Sequence, residues 1–351
     1  MKICLLNNLY KPYNRGGAEN VAAAMLKSYQ DAGHEVFLIT TRPQTPNRGE
    51  NNDCRTFYIS SEFYNLNQKS LGGRLIWHLN EIVSSKKYHQ IKNILRTEKP
   101  DLVISHNLMG LDFKSAQAIK ELKITHHHFL HDIQLLHPSG LIIYGQENIV
   151  NSFSAKLYQK ITRFFLGSPD LIISPSRWLL DEHLKRGYFK KSKTEIKKLE
   201  NILNFNLSDN AARAATKPFK QLLFVGQIEK HKGILFLLEA FKKLASEYMT
   251  LTIAGDGSLL PLIRERFSKD GRIQILGRPE KSALEKYYRE ADALIMPSLC
   301  YENYPTVIIE ARQVGLPVIA SNLGGIPEAI GSGDWLFTPG DADDLFQTIT
   351  K

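Results

Sequence analysis

Residues 297–311 read PSLCYENYPTVIIEA and set two carboxylates, Glu302 and Glu310, eight positions apart. The pattern predicts Glu302 in a loop after a buried strand and Glu310 inside the helix that Pro305 introduces. A loop carboxylate can accept hydrogen bonds from sugar hydroxyls, and one on the helix can accept them from a ribose diol. The free N–H groups of that helix's first turn offer a cradle for phosphate. Two unrelated surface glutamates would look the same, so the pair gains meaning only from its surroundings.

Those surroundings hold further groups of the same kind. FVGQIEKHKG (residues 224–233) follows an apolar run, and its Lys232–Gly233 opens a helix, where a lysine can reach a diphosphate. A solvated lysine in an exposed turn is the bland alternative. AGDGSLLPLI (254–263) is a Gly-rich strand-to-helix turn, followed by LGRPEKSALEKYYREADALIMPS (276–298) and SNLGGIPEAI (321–330). The first half contributes Gly16-Gly17-Ala18-Glu19, THHHFLHDIQLLHP (125–138) and SPSRWLLDEHLKRGY (174–188). The histidines His126, His127, His128, His131 and His137 invite a metal reading. Consecutive strand residues point to opposite faces, however, so 126–128 cannot all converge, and no HExxH or acidic cluster accompanies them. No metal is expected.

The elements that must carry these groups follow from short apolar runs alternating with amphipathic segments, the rhythm of βα units. In the first half strands are expected at Lys2–Asn7, Glu35–Thr40, Asp101–Ser105, Lys123–His127 and Asp170–Ser174. Helices are expected at Gly17–Ala32, stopped by Gly33, and at Gly73–Arg96 with a stripe of Leu75, Leu79, Ile82 and Val83. Residues 204–218 (NFNLSDNAARAATKP) read as a linker. After it the rhythm restarts, with strands from 221, 250, 272, 293 and 317 and helices Ile234–Ser246, Ser258–Phe267, Lys281–Glu290 and Thr306–Val314. The expected fold class is α/β, with Rossmann-like domains over residues 1–205 and 206–351. Ligands of such sheets bind at the carboxyl ends of the strands. The segment at 341–350 reads as a helix only just begun, as in a truncated chain.

Composition bounds the partners. A chain of 351 residues exceeds what one hydrophobic core usually supports. Cys4, Cys54 and Cys300 form no CxxC and no pairing pattern, which fits a reducing compartment and argues against a thiolate zinc site. No stretch reads as a signal peptide or as a membrane span. Residues 1–205 hold 28 basic and 18 acidic side chains, a net of +10, whereas residues 206–351 hold 17 and 18, a net of −1. An anionic surface would therefore meet the first half. No helix-turn-helix, RRM or zinc-finger pattern supports nucleic acid. The basic stretches at 73–99 (with Trp77, Lys86, Lys87, Lys92) and 184–198 could dock on an anionic leaflet or could be plain solvated faces.

In order and spacing these segments resemble the family-4 retaining glycosyltransferases, which have the GT-B fold of two Rossmann-like domains facing each other across a cleft. The resemblance spans essentially the whole chain. It implies a hexosyltransferase-type enzyme moving a sugar from a nucleotide diphosphate donor, UDP- or GDP-linked, to a carbohydrate or lipid-linked acceptor in polysaccharide, lipopolysaccharide or glycolipid synthesis. No cofactor or metal is implied. The expected location is cytoplasmic, with a peripheral place on the inner membrane face. By the same resemblance, Lys232 would bind the donor diphosphate. Glu302 would contact the donor sugar, helped by the backbone at Asn303, Tyr304, Thr306 and Val307. Glu310 would bind the ribose, the Gly277–Arg278 turn the base, and Gly16 and Gly17 would lie against the phosphates. His131, in the His131-Asp132 pair, would sit beside the reacting centre and bind the sugar.

Two positions depart from the family pattern. Gln227 stands where an arginine usually does, which removes a permanent charge from the phosphate site. Asn303 stands where glycine usually does, and asparagine tolerates positive φ well enough to keep the loop shape. Two rival readings share these features: a GT-B-fold nucleotide-sugar epimerase and a non-catalytic nucleotide-sugar-binding protein.

Overall fold

The computed structural model describes all residues except 14–15, 45–53, 71, 74–75, 78–79, 82–83, 204–218, 244–247 and 351. The linker read at 204–218 and the stripe Leu75, Leu79, Ile82, Val83 lie outside the described residues. The chain divides into two compact units. The first comprises Met1–Gly140 and Asn148–Leu203, the second Leu141–Glu147 and Asn204–Lys351.

The first unit runs β1 (Lys2–Leu6), α1 (Gly17–Asp31), β2 (Glu35–Arg42), β3 (Arg55–Ser60), α2 (Lys86–Glu98), β4 (Leu102–Ser105), α3 (Ser115–Glu121), β5 (Thr125–Phe129), α4 (Phe153–Leu166), β6 (Leu171–Ser174), α5 (Arg177–Leu184) and β7 (Lys193–Ile196). Its strands pair in the order β3-β2-β1-β4-β5-β6-β7, all parallel. In the central strand β1, Ile3, Cys4, Leu5 and Leu6 are all buried, as expected where helices cover both faces.

The second unit runs β8 (Gln221–Val225), α6 (Ile234–Lys243), β9 (Thr250–Ala254), α7 (Leu260–Phe267), β10 (Ile273–Gly277), α8 (Lys281–Glu290), β11 (Ala293–Met296), α9 (Thr306–Gln313), β12 (Val318–Ser321), α10 (Ile326–Ala329), β13 (Trp335–Phe337) and α11 (Ala342–Thr350). The strand order is β10-β9-β8-β11-β12-β13, again parallel throughout. Its core gathers Phe219, Phe224, Leu237, Phe241, Ile253 and Ile295. In each sheet the order reverses direction once, between β1 and β4 and between β8 and β11. Such a switch point opens a crevice at the carboxyl ends of the two strands.

Several expectations shift. Strand β5 begins at Thr125 rather than Lys123, because Lys123 sits at φ 54° in the turn that closes α3. The helix expected from Gly73 through Arg96 is interrupted at Ser84 and Ser85, where Ser84 Oγ accepts the Lys86 N–H at 3.4 Å. Helix α7 starts at Leu260 rather than Ser258, whose N–H and hydroxyl are both given to Glu229, at 2.7 and 2.6 Å. Trp77 is buried beside Phe63, while Lys87 pairs with Glu81 and Lys92 with Glu121, each at 2.5 Å.

Candidate functional site

In the second unit the switch point is lined by the loops after β8 and β11, and these carry Lys232 and Glu302. Lys230–Lys232 form one turn of 3-10 helix, and Gly233 follows at φ 73°. A Cβ on Gly233 would lie 1.8 Å from the Pro297 carbonyl oxygen, so only glycine allows this approach of the two loops. The Leu299 N–H donates to the His231 carbonyl at 2.9 Å and zips them together. Lys232 Nζ thereby comes 2.5 Å from Glu302 Oε1. Both side chains are partly buried, 25% and 16% exposed.

The same carboxylate oxygen accepts from Ser298 Oγ at 3.1 Å and from Cys300 Sγ at 3.4 Å. Oε2 accepts from no side chain or backbone group among the described residues. Burial pushes the Glu302 carboxyl up, but Lys232 and the two donors outweigh it and the net shift is downward. Burial likewise pulls Lys232 down, and Glu302 more than restores it. The pair therefore stays ionised at neutral pH. The Cys300 thiol is pushed up to about 12, first by burial and then by the Glu302 charge, so it remains a neutral donor.

Glu310, half-buried on α9, receives the Tyr288 hydroxyl of α8 at 2.7 Å. Pro305 is the N-cap of α9, and no side chain among the described residues caps it, so the N–H groups of Thr306 and Val307 head the helix. Tyr304 is buried, its hydroxyl 3.4 Å from the Glu328 carbonyl. Asn303 does not adopt positive φ. Among described non-glycine residues only Lys99, Asp112, Lys123 and Phe189 do. The special backbone falls instead on Gly324 (φ 63°), whose Cβ would meet the Glu302 carbonyl at 2.5 Å, and the Gly325 N–H donates to that carbonyl at 2.8 Å.

Gly277 ends β10 at φ 79°, its carbonyl accepting from the Gly255 N–H at 2.7 Å, and Arg278 beyond it is exposed. Gln227 is exposed in the turn after β8. The segment Leu141–Glu147 also belongs here. Ile143 and Cys300 form an antiparallel bridge, and Tyr301 donates to Glu147 at 2.9 Å, so this segment braces the loop that bears Glu302. A separate cavity of about 440 Å³ lies at the amino ends of β8 and β9, the end of the sheet away from Lys232 and Glu302.

In the first unit, Gly16 is the N-cap of α1, and its N–H donates to the Glu19 carboxylate at 2.6 Å. His131 follows β5, with Nε2 2.7 Å from His106 Nδ1. Burial, then His106 and His128, holds His131 well below the ordinary histidine range, and burial pulls His106 down to about 3. Both rings are neutral at pH 7, able to share one proton and to hydrogen-bond a hydroxyl. Asp132 is turned to the Gln134 N–H at 2.7 Å and Asn107 Nδ2 at 3.4 Å, and burial raises it to about 6. His126 and His128 meet on Ser105 Oγ at 2.7 and 2.8 Å, while His127 points to the other face. No group of three or more His, Cys, Asp or Glu side chains able to hold a metal ion occurs among the described residues.

Lys232, Glu302 and Glu310 stand out in the sequence by charge and spacing. Ser298, Cys300 and Tyr288, which hold the two glutamates, and His106, which holds His131, do not. Ser298, Cys300 and Tyr288 all lie within residues 276–311, but nothing in their spacing marks them.

Residues 15–196 match the profile of Glycosyltransferase Family 4, and residues 219–351 match that of Glycosyl transferases group 1. A protein of the Klebsiella pneumoniae cps region, itself uncharacterised, is 26% identical over 93% of this chain and 87% of its own length. The putative teichuronic acid biosynthesis glycosyltransferase TuaC of Bacillus subtilis is 24% identical over 100% of this chain and 89% of its own. Among solved structures, Anabaena HepE in complex with UDP superposes with a TM-score of 0.69 at 19% identity, covering 99% of this chain and 89% of that one. With two parallel βα sheets and a carboxylate–lysine pair at the switch point of the second, the chain belongs to Glycosyltransferase Family 4 and is a glycosyltransferase of the GT-B fold.

Proposed function

We propose that this glycosyltransferase moves a sugar from a UDP- or GDP-linked donor, with retention of anomeric configuration, onto an acceptor in polysaccharide, lipopolysaccharide or glycolipid synthesis. One observation carries the reading. Glu302 is anchored through Oε1 by Lys232, Ser298 and Cys300, which leaves Oε2 to accept from sugar hydroxyls. An ammonium has three donors, so Lys232 can hold Glu302 and still reach a diphosphate.

In this proposal the uncapped amides of Thr306 and Val307 meet the phosphate oxygens, with Asn303 and Tyr304 shaping the loop. Glu310, steadied by Tyr288, takes the ribose, and Gly277 with Arg278 takes the base. Gly16 and Gly17 serve the phosphates, and neutral His131 serves the sugar. The charge of the leaving diphosphate is met by Lys232 and helix-end amides, and the proposal asks for no metal. The UDP held by HepE and the teichuronic acid role in the name of TuaC support a nucleotide donor and a polysaccharide setting. Nucleotide sugars of this kind place the reaction on the cytoplasmic side.

Thermal unfolding of the purified protein against a panel of nucleotide sugars is the test. The true donor raises the melting temperature by mass action and is then consumed with release of nucleotide diphosphate when acceptor is added. No stabilisation by any UDP- or GDP-sugar overturns the reading.

A further inference from the structure

Helix α4 turns polar side chains inward while leaving large apolar ones outside. Of its four buried residues, Gln159 and Thr162 are polar and Ala155 and Leu166 are apolar. Gln159 Nε2 donates to the Leu136 and Val150 carbonyls at 3.0 and 2.7 Å, and Thr162 Oγ1 donates to the Leu135 carbonyl at 2.8 Å. Ser152 caps its start by accepting the Ala155 N–H at 3.2 Å. The helix is thus fixed in place by hydrogen bonds. Its outer face meanwhile holds Phe153, Leu157 and Phe164 in the open, 86%, 53% and 71% exposed. At intervals of four and seven these three share one stripe, and Ile149, one turn before the helix, is exposed beside it. Large aromatics held in water on a rigid helix mark a contact surface.

The charge on the stripe selects its partner. Lys156 and Lys160 are exposed on the same side, Lys160 between the two phenylalanines, and no acidic residue occurs between Glu147 and Asp170. A two-fold contact centred on this stripe would crowd Lys156 and Lys160 of both copies together with no acidic residue of the helix to pair with them, which like charges oppose. A lipid surface suits both groups. Phenyl and leucyl side chains enter the acyl boundary, and the lysines extend to headgroup phosphates. We propose that α4 is the face by which this protein docks on an anionic membrane, through Phe153, Leu157 and Phe164 with Lys156 and Lys160. In the stretch at 73–99, by contrast, Trp77 is buried and Lys87 and Lys92 are paired with Glu81 and Glu121. The purpose of the α4 face, meeting a lipid-linked acceptor, rests on the proposed function, but docking itself does not.

Co-sedimentation of the full chain with vesicles, in the absence of nucleotide sugar, tests it. The wild-type protein is expected to bind phosphatidylcholine–phosphatidylglycerol vesicles at least about tenfold more tightly than phosphatidylcholine alone, and to be released by salt. Phe153→Ser/Phe164→Ser and Lys156→Glu/Lys160→Glu are each expected to weaken binding by about tenfold or more. Wild-type binding to neither vesicle, or undiminished binding by both variants, overturns the proposal. So does a concentration-dependent dimer, seen by sedimentation velocity, that the phenylalanine variant abolishes while vesicles bind nothing. Vesicle binding without sugar transfer from any donor would count against the proposed reaction and leave the docking face standing.

Discussion

Lys232 Nζ lies 2.5 Å from Glu302 Oε1 although 70 residues separate them, and Gly233 makes the approach possible. Any side chain at 233 would meet the Pro297 backbone, which cannot rotate away as a flexible side chain would, and the left-handed φ adds strain. Gly233→Ala should therefore cost roughly 2 kcal/mol or more of stability and separate the two loops. The melting temperature should fall, and binding of nucleotide diphosphate should weaken with it.

Ser298 and Cys300 act through Glu302. Each Ala variant leaves a charged acceptor with one donor fewer, a loss of about 1.5 kcal/mol for the hydroxyl and less for the weaker thiol donor. Ser298→Ala and Cys300→Ala should lower kcat more than they raise KM for the donor, because the carboxylate is misdirected while the diphosphate contact survives. Cys300→Ser restores a donor and should recover most of the rate. Equal rates for Cys300→Ala and Cys300→Ser would show that the thiol positions nothing.

Gln227 stands where the family usually carries arginine, and it is exposed in the turn after β8. If that turn meets the phosphates, Gln227→Arg adds a charged hydrogen bond worth roughly 1.5 kcal/mol, a little over tenfold in Kd. Calorimetric titration with the cognate nucleotide diphosphate reads it directly. Unchanged affinity places residue 227 away from the phosphates.

The first unit should be acid-labile. Burial pulls His106 and His126 down to about 3 and His183 to about 4, and holds His128 and His131 well below their ordinary range. The unfolded chain takes up these protons near pH 6.5, whereas the folded protein does so only far lower. The stability from keeping them neutral is complete above 6.5 and is lost as pH falls from there towards 3. Asp112 and Asp132, raised by burial to about 6, work in the opposite sense and gain as pH falls from 6 to 4. Five histidines outweigh two aspartates, each group contributing up to about 1.4 kcal/mol per pH unit. Urea unfolding followed by circular dichroism should show stability falling between pH 6.5 and 4, and a flat profile would contradict the assignment.

How much of this was legible in the sequence depended on burial. Central strands such as β1 and β8 are covered on both faces and read as apolar runs. The edge strands β3, β7 and β13 are not expected from the sequence. In β7 three of four residues, Lys193, Thr194 and Glu195, are exposed, and only backbone pairing to β6 makes the strand. The site followed the same logic. Lys232, Glu302 and Glu310 carry charge at telling intervals, whereas Ser298, Cys300 and Tyr288 matter only once the loops have closed around the carboxylates. Asn303 stands where the family usually has glycine, but the turn that needs a left-handed residue lies at Gly324, against the Glu302 backbone.

In the proposed reaction Lys232 meets the diphosphate and Glu302 the sugar. Calorimetric titration of Lys232→Ala and Glu302→Gln with the nucleotide diphosphate and with its sugar conjugate separates the two roles. Lys232→Ala should lose affinity for both ligands and, with one charged donor removed, on the order of a hundredfold in kcat/KM. Glu302→Gln should bind the bare diphosphate almost as wild type, lose the added affinity for the conjugate, and transfer on the order of a hundredfold more slowly. Wild-type binding and transfer by either variant, or equal loss of the bare diphosphate by both, would contradict the account.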